Sequence, residues 1–250
     1  MQCSNCILDD AGSTNITFDA NGVCNYCNSY KSTYTAAYIA NTFSPEKLNE
    51  KLAAMKAYGK GKKYDCLLGV SGGVDSSYLA LLCKQYDLRP LIIHFDNGWN
   101  SELAVKNIQS ILDKLGYDYT TYIVNWDEFK AMQRAYFKAG VIDIEALTDH
   151  AILATMLKLA KENDIKYVLS GFNYATEAIM PKGWTWKKED WTNIEDIWLK
   201  NGVKAIKSFP RVTFFKKLYY NFVLKLEVVQ LLNYINYNKD ASKDVYKRQK

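Results

Sequence analysis

From Tyr64 to Gly171 short apolar runs alternate with longer stretches whose apolar residues recur at helical spacing, and few folds tolerate that alternation. Cys66-Leu67-Leu68-Gly69-Val70, Pro90-Leu91-Ile92-Ile93-His94-Phe95, Thr121-Tyr122-Ile123-Val124 and Tyr167-Val168-Leu169-Ser170 read as buried strands. Between them Leu103, Ile108, Ile111, Leu112 and Leu115 are assigned to one helical face, and later Ile152, Met156, Leu159 and Ala160 to another. Strand–helix–strand alternation with right-handed crossovers predicts an α/β fold, a mainly parallel, doubly wound sheet with helices on both faces. No internal repeat or low-complexity tract interrupts it.

The flanks follow different rules. Residues 1–30 are rich in Cys, Asn and Asp and too poor in apolar side chains to fold on a core of their own. A linking helix is predicted within 44–62, over Pro45–Tyr58, with Ser44 as N-cap, Pro45 at the first helical position and Glu46 in the first turn. Residues 63–215 form the main domain. Near its end Trp184, Trp186, Trp191 and Trp198 crowd a polar segment. A C-terminal amphipathic helix is expected within 216–243, over Leu218–Tyr237, with Leu218, Phe222, Leu226 and Val229 on one side, packed in a core or laid on a membrane or partner. Residues 244–250 match the translation of a sequencing-adapter end, so they are expected to be foreign and the natural chain to continue.

The balance of 32 basic against 27 acidic residues, a net +5, permits anionic ligands without the basic stripe that nucleic acid demands, so no nucleic-acid partner is expected. No apolar run reaches the roughly 18 residues of a membrane span, and the first residues lack the basic and apolar regions of a secretion signal. A cytoplasmic location is expected, where six cysteines argue for metal or catalytic work over disulfides.

The sharpest motif is Ser71-Gly72-Gly73-Val74-Asp75-Ser76-Ser77, set directly after a strand and opening a helix that carries Tyr78, Leu79 and Leu82. Two glycines let the backbone turn tightly and approach a ligand. The amides they free, with the positive end of the helix, make an anion cradle. Ser71, Ser76 and Ser77 offer hydroxyl donors, whereas Asp75 would be repelled by bare phosphate and is suited to holding Mg2+. No Lys follows the glycines as a Walker A motif requires. The alternative is a glycine turn with helix-capping serines. Two other strand ends should meet this loop at the switch point of the sheet. Phe95 and Asp96, in His94-Phe95-Asp96-Asn97-Gly98, could face adenosine and a ribose hydroxyl; Gly171 and Asn173, in Ser170-Gly171-Phe172-Asn173, with Glu177 a turn on, could close the site. Ordinary strand-exit turns are the competing reading for Asp96, Asn173 and Glu177.

Cys3-x2-Cys6 and Cys24-x2-Cys27 have the spacing of two knuckles closing one tetrahedral ion, with Asp19-Ala20-Asn21-Gly22 as the turn that delivers the second. Four sulfurs leave no open position, so a structural Zn2+ is expected, an iron–sulfur cluster being the alternative. Cys66 and Cys83 read as packing residues.

The glycine loop resembles the PP-loop of the ATP pyrophosphatases, whose fold is that of the adenine nucleotide hydrolases. That loop, the four-cysteine module and the phrases His94-Phe95-Asp96-Asn97-Gly98-Trp99-Asn100-Ser101, Thr148-Asp149-His150 and Ser170-Gly171-Phe172-Asn173-Tyr174 together resemble the N-acetyl sugar amidotransferase family over residues 1 to about 215. The resemblance implies an ATP-dependent, AMP- and pyrophosphate-forming ligase of bacterial surface-polysaccharide and nonulosonic-acid biosynthesis, including lipopolysaccharide O-antigen. It would convert an acetamido to an acetamidino group. It implies ATP bound by Ser71, Gly72, Gly73, Val74, Asp75, Ser76, Ser77, Phe95, Asp96, Gly171 and Asn173, with Asp75 and Ser71 in catalytic roles and Mg2+ at Asp75 and Glu177. Its partners would be an N-acetylated sugar and a separate glutaminase subunit supplying ammonia. Thr148 reads as an N-cap and His150 as a core or capping residue or a sugar contact. The segment Met180–Lys188 reads either as a sugar-stacking loop or as a solvated one. Two rival functions stay open: a PP-loop enzyme that modifies tRNA by thiolation or lysidine-type ligation, and a non-catalytic ATP-binding zinc module. The absence of cysteine after Cys83 and the modest charge weigh against tRNA.

Overall fold

The four apolar runs fold as β1 (Cys66–Val70), β2 (Pro90–Asp96), β3 (Tyr119–Ile123) and β4 (Tyr167–Leu169). A fifth strand, β5 (Glu227–Val229), joins them in one sheet of order β3-β2-β1-β4-β5, every neighbouring pair parallel. The computed structural model describes residues 1–11, 15–33, 44–202, 206–240 and 242–243. The foreign tail expected at 244–250 lies outside the described residues.

Helices α1 (Asn25–Thr33), α2 (Pro45–Gly59), α3 (Val74–Gln85), α4 (Glu102–Leu115), α5 (Trp126–Ala139), α6 (Ala146–Glu162), α7 (Tyr174–Glu177), α8 (Trp191–Lys200) and α9 (Phe214–Leu218) connect and cover the strands. Their starts follow from local chemistry. Ser44, Ser101 and Asn125 accept hydrogen bonds from the amides of Lys47, Ala104 and Glu128, satisfying donors that a helix start leaves open. The alternation prediction is therefore met: an α/β sheet with α2, α3 and α4 packed on one face and α6 on the other.

Both faces of β1 and β2 are covered, which is why their sequences are continuously apolar. On the α4 side Ile108, Ile111, Leu112 and Leu115 are buried, but Leu103 is exposed. Five residues before Ile108, it sits well round the helix from that stripe. At the end of the sheet away from the loops, the Asp65 carboxylate accepts from the Arg89 backbone amide, Nε and Nη2 at 2.6–3.1 Å, tying the starts of β1 and β2 together.

The helix expected over Leu218–Tyr237 does not form. The chain passes from α9 through a π turn at Tyr219–Val223, Lys225 takes a left-handed φ of 50°, and Glu227–Val229 then pairs with β4. A short 3-10 turn, Leu231–Tyr234, follows and buries Leu231 and Leu232 in the core that includes α2. The helical spacing of apolar residues was real, but the open edge of β4 offers backbone hydrogen bonds that only a strand can take. Phe214, Phe215, Phe222 and Val223 consequently face solvent. No helix among the described residues is long and apolar enough to cross a membrane.

The topology fixes where a ligand can sit. The chain runs outward from β1 through β2 to β3, then returns to place β4 on the other side of β1. The crevice beyond the carboxyl ends of β1 and β4 is thus the switch point of the sheet.

Candidate active site

The loop Ser71–Gly73 and the start of α3 stand at that crevice. Gly72 has a φ of 75°, and a Cβ there would lie 2.9 Å from the Ala104 carbonyl oxygen, so both its conformation and its neighbour exclude a side chain. Gly73 is the N-cap of α3 with extended backbone. The serines brace the turn: Ser76 Oγ accepts from the Ser71 amide at 3.2 Å and lies 3.2 Å from Ser71 Oγ, and Ser71 Oγ accepts from the Gly73 amide at 3.4 Å. Ser76 and Ser77 are buried, and both belong to the first turn of α3. The first-turn amides of a 12-residue helix and its dipole make the mouth of the crevice suited to an anion.

Beside the loop lies a cavity of about 420 Å³, reached by Ser71, Ser170 and Gly171 and walled by Phe95, Ile152 and Met156 among others. Ile152 and Met156, assigned to a core face from sequence, are half-buried because they line this cavity. Phe95 stacks on Tyr122 with ring centroids 5.5 Å apart and lines the same space. Asp96 turns its Oδ1 to its own loop, accepting from the Gly98 amide at 2.9 Å and Asn100 Nδ2 at 3.1 Å. Asn173 is fully buried and caps α7, its Oδ1 accepting from the Thr176 amide and hydroxyl at 2.9 and 3.0 Å. Gly171 lies against the start of α3, where a Cβ would stand 3.6 Å from the Ser76 amide nitrogen.

Asp75 is the centre of a polar cluster that sequence inspection misses. Tyr237 donates its hydroxyl to Asp75 Oδ1, and Lys239 Nζ pairs with Oδ2 at 2.9 Å. Partial burial raises the Glu177 carboxyl above the usual carboxylate range, and the nearby Asp75 charge raises it further. Burial likewise raises the Tyr237 phenol, with the Asp75 carboxylate adding to it. The two partners lie some 160 residues beyond Asp75 in a segment with no motif of its own, so only the β5 crossover could have revealed them.

The four cysteines converge as the spacing predicts. Their sulfurs lie within 4.8 Å of one another, with Cys3–Cys27 at 4.0 Å and Cys6–Cys24 at 3.7 Å. A tetrahedral ion bound through Zn–S bonds of about 2.3 Å needs sulfur separations near 3.8 Å, so the donor set fits one such ion. Burial pushes the Cys3 thiol up, but the Asn5, Cys24 and Cys6 amides outweigh it and bring it down to about 6. Burial pushes Cys6 up to about 12 and raises Cys24. The Asp19 carboxylate accepts from the Asn21 and Val23 amides, forming the turn that delivers the second knuckle. Trp184 packs against this cluster, while Cys66 and Cys83 are buried in the main core.

His150 is a strut, not a sugar contact. The residue is fully buried, with Nδ1 2.7 Å from the Lys188 carbonyl oxygen and Nε2 accepting from the Val212 amide at 3.1 Å. Those contacts require the neutral ring with its proton on Nδ1. Thr148 is not an N-cap, because α6 already starts at Ala146, and its hydroxyl instead accepts from Asn97 Nδ2 at 3.3 Å. In the Met180–Lys188 segment Trp186 is exposed and bonds Asp190, and Lys188 pairs with Asp143 at 2.5 Å and Asp149 at 3.0 Å. Burial lowers the His150 pKa below its ordinary 6.5, so the neutral ring stabilises the fold fully above that value and the contribution is lost as pH falls below it. The Tm of the protein is expected to drop as pH falls below about 6.5, and His150→Gln to flatten that part of the profile. An unchanged drop in the variant would assign it to another group.

Known proteins resemble this chain in part. A protein of Methanocaldococcus jannaschii described as uncharacterized is 25% identical over 172 residues, 68% of this chain and 58% of that protein; the chain thus spans less than two thirds of its relative's length. Among solved structures, an NMN synthetase of Francisella tularensis aligns with a TM-score of 0.42 and 13% identity over 83% of this chain and 84% of that one. An NH3-dependent NAD synthetase of Campylobacter jejuni aligns with a TM-score of 0.42 and 14% identity over 81% and 84%. Residues 64–172, which carry β1, the glycine loop, β2, β3 and the exit of β4, match the model of the asparagine synthase family.

Proposed function

We propose that the chain is an ATP-dependent amidotransferase that adenylates the acetamido group of an N-acetylated sugar and replaces its oxygen with ammonia, giving an acetamidino sugar for bacterial surface polysaccharide. The observation that carries this reading is the glycine loop at the β1/β4 switch point, with the 420 Å³ cavity opening beside it. That volume lies within the range of small-molecule sites and suits an adenosine between Phe95 and Met156. The α3 amides and the Ser71, Ser76 and Ser77 hydroxyls then receive the β- and γ-phosphates. Mg2+ at Asp75, with Glu177 in reach, would supply neutralisation of the departing pyrophosphate.

The chemistry divides into two displacements. An amide carbon is a poor electrophile, so the acetamido oxygen first attacks the α-phosphorus and the bond to pyrophosphate breaks. Ammonia then adds to the activated carbon and AMP leaves with the former acetamido oxygen. The chain forms no covalent bond; it positions both partners and orients donors toward developing charge. Ammonia would come from a separate glutaminase subunit in the cytoplasm, and Zn2+ would hold the four-cysteine module together, away from the reacting atoms.

The test is isotope exchange between pyrophosphate and ATP, run with N-acetylated sugar nucleotides, nonulosonic acids and tRNA in separate arms. Exchange that depends on an N-acetylated sugar is expected. Exchange stimulated by tRNA alone, or by none of them, would refute the reading.

A further inference from the structure

A second cavity, about 600 Å³, lies between the four-cysteine module and the segment after β4. One wall is Tyr26, Ser29 and Tyr30 of α1; the other is Phe172, Tyr174 and Glu177. The two cavities meet along one stretch of backbone. Ser170 and Gly171 line the first, and Phe172, the next residue, lines the second.

This cleft is built, and its construction depends on the cysteines. Cys24 precedes α1 and Cys27 lies within it, so the four-sulfur cluster sets where α1 stands. The Tyr30 hydroxyl donates to the Ala175 carbonyl at 3.3 Å, joining α1 to α7 across the cleft. Phe172 and Tyr174 meet edge to face, with centroids 5.6 Å apart and planes at 84°, and so present two differently oriented ring surfaces. Asn15 adds a side-chain amide, Ser29 and Thr33 hydroxyls, and Glu177 one carboxylate, while Asn25 spends its own amide on the Asn15 carbonyl and the Thr17 N–H.

Ring faces beside an amide, hydroxyls and a single carboxylate complement a polyol, whose C–H faces pack on aromatics while its hydroxyls exchange hydrogen bonds. The first cavity, by contrast, takes half its lining from Ile, Leu, Met and Val and a single ring from Phe95, with Asn97, Asn100, Thr148 and Asp149 among the rest. The placement of Glu177 connects the cleft to the chemistry, because this carboxylate lines the cleft on α7, whose cap Asn173 stands two residues past Gly171, and Gly171 lies against the start of α3.

We infer that the cleft between α1 and the Phe172–Met180 segment takes the sugar body of the acceptor, so that the four-cysteine module is a wall of the substrate site as well as a scaffold. The inference rests on the amidotransferase reading above. The acceptor would lie over Phe172 and Tyr174 with its acetamido group directed past Glu177 to the loop, while ATP enters from the other side of Ser170–Gly171. The metal acts on acceptor affinity through α1 and stays remote from the reacting atoms.

The test fills the cleft from each wall with the full chain and its metal in place. Ser29 and Met180 are both exposed positions that line it, so Ser29→Trp and Met180→Trp add bulk without disturbing a core. Binding of UDP-N-acetylglucosamine and of N-acetylneuraminate is followed by saturation transfer to the acetyl methyl, and ATP binding by calorimetry. For the sugar that binds the unmodified protein, both variants are expected to weaken binding at least tenfold and to leave the ATP Kd within twofold. Unchanged sugar binding in both variants would overturn the inference while leaving the amidotransferase reading intact. So would displacement of N-acetylneuraminate by adenosine, which would put the sugar in the first cavity. A protein that binds ATP but neither binds these sugars nor shows sugar-dependent exchange would refute that reading, and the cleft assignment with it.

Discussion

Asp75→Asn is expected to lower ATP–pyrophosphate exchange at least 100-fold, about 2.7 kcal/mol of transition-state stabilisation, while the protein stays folded. The substitution preserves shape and removes charge. The amide oxygen can still accept from the Tyr237 hydroxyl, so the packing of Tyr237 on Tyr78 should persist. What is lost is the carboxylate that pairs with Lys239 at 2.9 Å and that would hold a divalent ion against the leaving pyrophosphate. The Lys239 partner is more than a third exposed, so its lost ion pair should cost no more than about 1 kcal/mol, or roughly 2–4 °C in Tm for a chain this long. The pairing of a large kinetic loss with a small thermal one is the diagnostic result. A variant that retains more than a tenth of the exchange would place the metal elsewhere, and one that unfolds would make Asp75 a structural residue.

The parts legible in the sequence are those whose cause is local. The strand before the loop, the glycines that turn it and the Ser44 cap all follow from side-chain chemistry within a few residues of each other, and each is found where the sequence predicts it. The four-cysteine cluster is legible for a related reason: its two knuckles carry their own geometry, and four donors around one point need no knowledge of the rest of the chain. Asn173 shows the limit of motif reasoning. Its position at a strand exit suggested a nucleotide contact, yet its oxygen is spent on the cap of α7, which places Glu177. The β5 strand shows a second limit. The spacing of Leu218, Phe222, Leu226 and Val229 is helical, and nothing nearby says that the edge of β4 will be open to receive Glu227–Val229. Tyr237 and Lys239 reach Asp75 only because that strand forms, so the error about the helix and the failure to find these two residues have one cause.

Removing the metal from the four-cysteine module should unfold residues 1–11 and 15–33 and spare the sheet. The module's buried residues are Cys3, Cys24 and Cys27 with Leu8 and Ile16, and Phe18, Val23, Tyr26 and Trp184 pack on them only in part, so the segment has too little buried apolar area to order itself without the ion. Metal binding in comparable small modules contributes about 10–16 kcal/mol, so here the ion would supply most of the driving force. The hydrogen bonds to sulfur, from Asn5, Cys24 and Cys27 amides and from Asn5 Nδ2, orient thiolates already gathered; they cannot gather them alone. Chelation, or Cys24→Ser, is therefore expected to bring amide exchange in residues 2–11 and 15–27 to the rate of an unstructured chain. Protection over Cys66–Leu169 should stay within a few-fold, because the main core shares no buried residue with the module. Trp184, which packs on the cluster, should lose that contact and report the change by fluorescence. One equivalent of zinc per chain in the untreated protein, and its loss with the protection, would complete the case. Protection of residues 2–11 and 15–27 that survives verified metal removal would show that the module holds itself together by packing, and the convergence of its four sulfurs would then need another explanation.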